Sequence, residues 1–289
     1  MAARKTRLKE MPFPDLVKMQ TRQVKQLVEK RGVGNLKKLY VETRRRLKDE
    51  LDGLLATGKG ERYEAHHARV MLRHAEQGVA DVQAALGSVL AKRGAEASAM
   101  AIDHLDEQIK RNGEKYGTEF HAPIDKADLL YNVDEKSRET LMRRFDVSVQ
   151  KYGLDAISRM EQEMAVGLMS GRTVEQMSNA VLGANGALDG EYWKAERIAR
   201  TEIANAYGYT TQVAMQESQE MFPGVKMGKV WVSVLETGGP KPRTCQQCED
   251  MDGVVVGVDD PFIFPDGTMA FHPPKHPNCL CGSTLTLLP

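Results

Sequence analysis

At 289 residues, with 40 Lys and Arg against 40 Asp and Glu, the chain has room for one large or two modest domains and carries no net charge. Hydrophobic residues make up 41% and aromatics only 6%, so the apolar material is mostly Ala, Leu, Val and Met, which suits helices better than sheets. No apolar run approaches the ~20 residues that cross a bilayer, and the charged start Met1-Ala2-Ala3-Arg4-Lys5 has no apolar stretch after it, unlike a secretory signal.

The charge is unevenly spread. Residues 1–60 hold 16 Lys and Arg against 7 Asp and Glu, a basic arm on an otherwise acidic chain. Arg44-Arg45-Arg46 is its densest point. No aromatics interleave there for base stacking, so non-specific contact with a nucleic-acid backbone is the expectation, with a solvated helical face as the plain alternative. Leu16, Met19, Val24 and Leu27 mark one helical stretch, and Leu36, Leu47, Leu51 and Leu55 a second, with a break at Gly32-Val33-Gly34.

Residues 61–113 read as a long helix. Leu72, Ala75, Val79, Val82, Leu86 and Val89 repeat at three and four, a seam of coiled-coil type, continued by Ile102, Leu105 and Ile109. Such a seam needs a partner, either a second helix of the chain or another subunit. Tyr116-Gly117 and Pro123 interrupt the pattern. Helices are predicted at about 134–151, ending near Gly153, and at 154–169, stopping at Gly171. Thr173-Val174-Glu175-Gln176 is a capping box that opens a short helix ending at Leu182. The loop 183–190 is the preferred domain boundary.

A long helix is predicted over 191–220, with Glu196 and Arg200 spaced for an i,i+4 pair. Strands follow at Val230–Leu235, where Trp231 is assigned to the core, at Val254–Val256 and at Ser283–Leu288. The partition is then 1–60 basic helical arm, 61–187 helical coiled-coil-like region and 188–289 a small module. The fold class is α+β, predominantly α: an extended helical N-terminal region followed by a metal-clamped α+β C-terminal domain.

All four cysteines fall in that last module. Cys245-Gln246-Gln247-Cys248 has the spacing at which a tight turn aims two thiolates at one tetrahedral ion, and His276-Pro277-Asn278-Cys279-Leu280-Cys281 can close the sphere. Thiolates with an imidazole suit zinc. Five candidate ligands compete for four places: Cys245, Cys248, His276, Cys279 and Cys281. Cys279 and Cys281 share a face if they lie on a strand, which favours a four-cysteine site with His276 in a supporting position. The alternatives are two disulfides or four unligated thiols. A site filled by four protein ligands is structural, with no place for a catalytic water. His66, His67 and His74 read as solvated helix surface, His104 has no partners at ligand spacing, and His272 is a reserve ligand. Neither a Gly-x-Ser-x-Gly elbow nor a phosphate-cradling loop is present.

The order Arg200-Thr201-Glu202, Trp231, Cys245-x-x-Cys248, Asp252-Gly253, Pro273-Pro274 and His276-Pro277-Asn278-Cys279-Leu280-Cys281 resembles the C-terminal domain of the Mu F family, the minor head proteins of tailed bacteriophages. The resemblance covers about residues 190–289, and the family's usual Arg in the closing triplet is here Leu280. It implies a structural virion protein and not an enzyme. Such a protein associates with the portal protein and other head proteins at the portal vertex or head interior, is assembled in the host cytoplasm, and serves head morphogenesis and DNA packaging or ejection. Residues 1–60 would touch packaged DNA and the helical region would self-associate. The alternative is a zinc-containing nuclease or a DNA-binding module acting on phage DNA.

Overall fold

The structure is a computed structural model. It describes residues 65–116, 126–182, 191–233 and 244–289 (except 278 and 280), with scattered helical positions between 16 and 53. The break at residues 32–34, the interruption at 117–123, the loop 183–190, the glycine- and proline-rich stretch 238–242, the side chains of His66 and His67 and much of the basic arm lie outside the described residues.

Among the described residues from 65 onward, four helices come first. They are α1 (Ala65–Tyr116), α2 (Lys126–Ser170), α3 (Val174–Leu182) and α4 (Glu191–Met221). Along α1 the buried positions include Met71, Ala75, Val79, Val82, Leu86, Leu90, Ala97, Ala101 and Leu105. Leu72 and Val89, expected on the seam, are only half-buried, and their neighbours Met71 and Leu90 are inside. A straight helix turns once per 3.6 residues, so a heptad seam drifts across its face by ~20° per repeat.

The expected stop at Gly153 does not occur, because α2 runs through it unbroken. A Cβ there would meet the Gln83 side-chain amide at 2.0 Å, and that amide donates to Val149 O at 3.1 Å. Gly153 is a point of close approach inside a helix. The capping box forms as expected: Thr173 N donates to Gln176 Oε1 at 2.9 Å, and Gln176 N donates to Thr173 Oγ1 at 3.2 Å.

The contacts divide the chain into two compact units, one of residues 1–31, 92–142 and 200–289, the other of 32–91 and 143–199. In the second unit, Met71, Ala75 and Val79 pack with Ala156, Met160, Met164, Met177 and Val181. Part of the seam therefore finds its partner helix within the chain.

The first unit holds the sheets. Strand β1 (Met227–Val232) lies between β2 (Val255–Gly257) and β5 (Gly282–Leu287), antiparallel to both, and β3 (Phe262–Ile263) with β4 (Met269–Ala270) forms a separate hairpin. A short helix, α5 (Gln246–Asp250), separates β1 from β2. The predicted strand at 230–235 is thus displaced three residues toward the N-terminus, and Trp231 is fully buried as expected. Met227, Lys229 and Trp231 alternate onto one face of β1. Met227 joins a core with Ile102, Leu105, Ile109, Val213 and Leu285, whereas Trp231 joins an aromatic one.

Lys229 lies between them with no exposed surface. Its Nζ donates to Gln212 Oε1, Val258 O and Phe271 O, each at 2.9 Å, so all three ammonium protons are used. Burial pulls its pKa down to about 8, against the pull of Asp259 and Asp260. The outer edge of β5 is closed by side chains of α1. Leu285 N donates to Gln108 Oε1 at 3.0 Å and Leu285 O accepts from Asn112 Nδ2 at 3.3 Å, so two amides stand in for a further strand.

His104 is not solvated. It is buried, with Nδ1 2.8 Å from Tyr207 Oη and Nε2 2.9 Å from Gln23 Oε1. Gln23 Oε1 can only accept, which puts the proton on Nε2 and makes Nδ1 the acceptor from Tyr207. Burial lowers its pKa to about 4, opposed by Asp103. The sequence hid this because both partners are remote in the chain.

Candidate metal centre

The sheet register builds the centre. Val232 pairs with Gly282, so the residues just beyond, Ser233 and Cys281, come side by side with Ser233 Oγ 3.6 Å from Cys281 Sγ. After β1 the chain returns through α5 alongside the same strand: Gly253 N donates to Trp231 O and Trp231 N to Val254 O, both at 2.9 Å. Cys245 occupies the N-cap of α5, its carbonyl accepting from Cys248 N and Glu249 N. From the other direction, Cys279 N donates to His276 O at 3.1 Å, tightening the second ligand segment into a turn.

The five candidate ligands converge. Cys245, Cys248 and His276 form one group that could hold a metal ion, and Cys248, Cys279 and Cys281 form another, with Cys248 common to both. His276 Nε2 lies 3.1 Å from Cys245 Sγ and 3.3 Å from Cys248 Sγ, and Cys248 Sγ lies 3.8 Å from Cys279 Sγ. Two sulfurs bound at ~2.3 Å to one tetrahedral zinc stand about 3.8 Å apart, so the spacing fits. All four cysteines are free thiols, and no disulfide links them.

Cys248 and Cys279 face the core. They pack with Met251 and with Trp231, whose ring meets Phe262 and Phe264 edge-on at 5.1 Å each. Cys245 is exposed and His276 half-buried, so the centre closes the aromatic core toward solvent.

Proton placement separates the ligands. His276 Nδ1 lies 2.9 Å from Pro277 O, which can only accept, so Nε2 presents a lone pair to two thiols. The Ser233 hydroxyl donates its single proton to Cys248 O and can therefore only accept from Cys281. Cys279 is held well below the ordinary thiol range by a hydrogen bond from the Cys248 thiol and by backbone amides of Cys281 and Lys275, against burial. Cys248 is pushed up by the same contact with Cys279, by Cys281 and by burial.

His272, the expected reserve ligand, is not among the convergent residues. Its Nδ1 lies 2.8 Å from Pro273 O and its ring meets Tyr209 edge-on. The loop packs so closely on α4 that a Cβ at Gly208 would fall 1.8 Å from Pro273 O. Sequence reasoning missed the brace formed by Gln247, Asp266 and Lys275, which carry no motif of their own although Gln247 and Lys275 adjoin ligand candidates.

Compared with known families, residues 158–284 match the family described as Phage Mu protein F like protein, which bears out the resemblance read from the ordered motifs. The match begins within α2, upstream of the stretch that carries the cysteines. No curated protein and no solved structure matches the chain. Among the described residues no helix is long and apolar enough to cross a membrane.

Proposed function

We propose that this chain is a minor head protein of a tailed phage, a structural component at the portal vertex that serves head assembly and the packaging or ejection of DNA. The family match over residues 158–284 carries the reading. Residues 188–289 act through their sheet-bearing part as a docking module for the portal protein and other head proteins, 61–187 as the helical contact region through which copies self-associate, and 1–60 as a basic arm against packaged DNA. The chain assembles in the host cytoplasm and remains a virion component of the head interior or portal vertex.

The module is clamped by zinc held by Cys245, Cys248, Cys279 and His276. His276 takes the fourth place because its Nε2 lone pair lies beside two thiols. Cys281 stays outside as a thiol donating to Ser233. Zinc supplies a cross-link between segments distant in sequence, and its binding free energy is folding free energy. With all four places taken by protein, no position is left for an activated water, so the module is scaffold.

Imaging of proheads assembled with and without the chain tests the assignment: density beside the portal is expected to vanish with it, and particles lacking the chain altogether would contradict the reading. In parallel, plasmid incubated with the zinc-loaded protein and magnesium or manganese is expected to stay intact. Cleavage lost in His276→Ala would make the protein a nuclease.

A further inference from the structure

A brace outside the ligand set joins the two ligand-bearing segments. Gln247 lies inside the Cys245-x-x-Cys248 turn, and Lys275 precedes His276, 28 residues away in sequence. Lys275 Nζ donates to Gln247 Oε1 at 3.0 Å and to both Asp266 oxygens at 3.0 and 3.2 Å. Gln247 Nε2 donates to the same carboxylate at 2.8 Å. The remaining acceptor capacity of Asp266 is taken by the amide and hydroxyl of Thr268, which anchors it in the β3–β4 turn. Lys275 Nζ also lies 3.8 Å from the centroid of the Phe264 ring, part of the aromatic core under the thiols, and its side chain is only 12% exposed. A surface ion pair alone contributes little. This one is a closed three-way network with a largely buried cation, and two of its members, Gln247 and Lys275, adjoin ligands in the chain.

We infer that Asp266 and Lys275 are positioning residues for the metal: their brace holds the Cys245–Cys248 turn and the His276–Cys279 turn in register before the ion arrives and slows its departure. The inference rests on the zinc reading above. Without the brace, the ion alone must order two loops, and the entropy of doing so comes out of its affinity.

The test uses the full-length protein, zinc-loaded under reductant and mixed with excess chromogenic chelator, with zinc release followed in time. Wild-type protein that carries no zinc sinks the metal reading itself, a result distinct from failure of the brace. Asp266→Asn keeps an acceptor for the Thr268 amide and removes the charge; Lys275→Met removes the cation. Each is expected to speed release about tenfold, while the cobalt-substituted form keeps the wild-type sulfur-to-metal absorption and the helical circular dichroism is unchanged. Because the pair acts as one device, the double variant releases zinc no faster than the faster single. Unchanged release in Lys275→Met, or effects that multiply in the double variant, overturns the inference. If Asp266→Asn folds poorly, Lys275→Met alone still decides.

Discussion

The helical core of the second unit and the aromatic–thiol core of the first are built on opposite principles. In the cluster of Ala75, Val79, Ala156, Met160, Met164 and Met177, many aliphatic and thioether side chains each do a little. Around Trp231 the core rests on three rings and two inward cysteines, in a segment whose hairpin strands are two residues long. The first kind tolerates exchange, because unbranched Met side chains repack. The second depends on a few groups that nothing else can replace, and the proposed cross-link would supply what its short strands do not.

The sharpest way to break that contrast is to remove the proposed cross-link. Chelation under reductant, or Cys248→Ser, is expected to unfold the sheet-bearing module, since structural zinc contributes on the order of 10 kcal/mol in small sites. The near-ultraviolet signal of Trp231 reports it, and a signal that survives verified metal loss would erase the distinction. Next comes Trp231→Ala, expected to cost ~3–5 kcal/mol in denaturant unfolding because a fully buried ring leaves a cavity.

A third prediction concerns pH. His104 has its folded pKa depressed to about 4 from an ordinary 6.5, because burial disfavours the cation. Its contribution is therefore fully present above pH 6.5 and is lost as pH falls through 4, up to ~3 kcal/mol. Acid release of the proposed zinc would be common to wild type and His104→Gln, so the difference between their stability–pH curves isolates the histidine; parallel curves would refute the assignment. The smallest effect is expected in the helical core, where the fully buried Met160 should tolerate Leu at under ~1.5 kcal/mol, read from the thermal midpoint.

The sequence made the regular elements legible because their signals are local. The capping box at Thr173, the helix Glu191–Met221 and the strands flanking the cysteines follow from spacing and propensity within a few residues. The five ligand candidates were legible for the same reason. What stayed hidden depends on partners far along the chain. Gly153 reads as a helix stop but makes room for Gln83; His104 shows no partner at ligand spacing in the sequence but finds Tyr207 and Gln23 in the fold. The amides of Gln108 and Asn112 read as polar helix and in fact close a sheet edge. Lys229 carries no motif, and only the fold shows its three acceptors.

X-ray absorption at the zinc edge of the purified, reduced full-length protein tests the central claim most directly. Three sulfurs at ~2.3 Å and one nitrogen at ~2.0 Å are predicted. A protein without zinc, cysteines joined pairwise, or a coordination shell dominated by oxygen would contradict it.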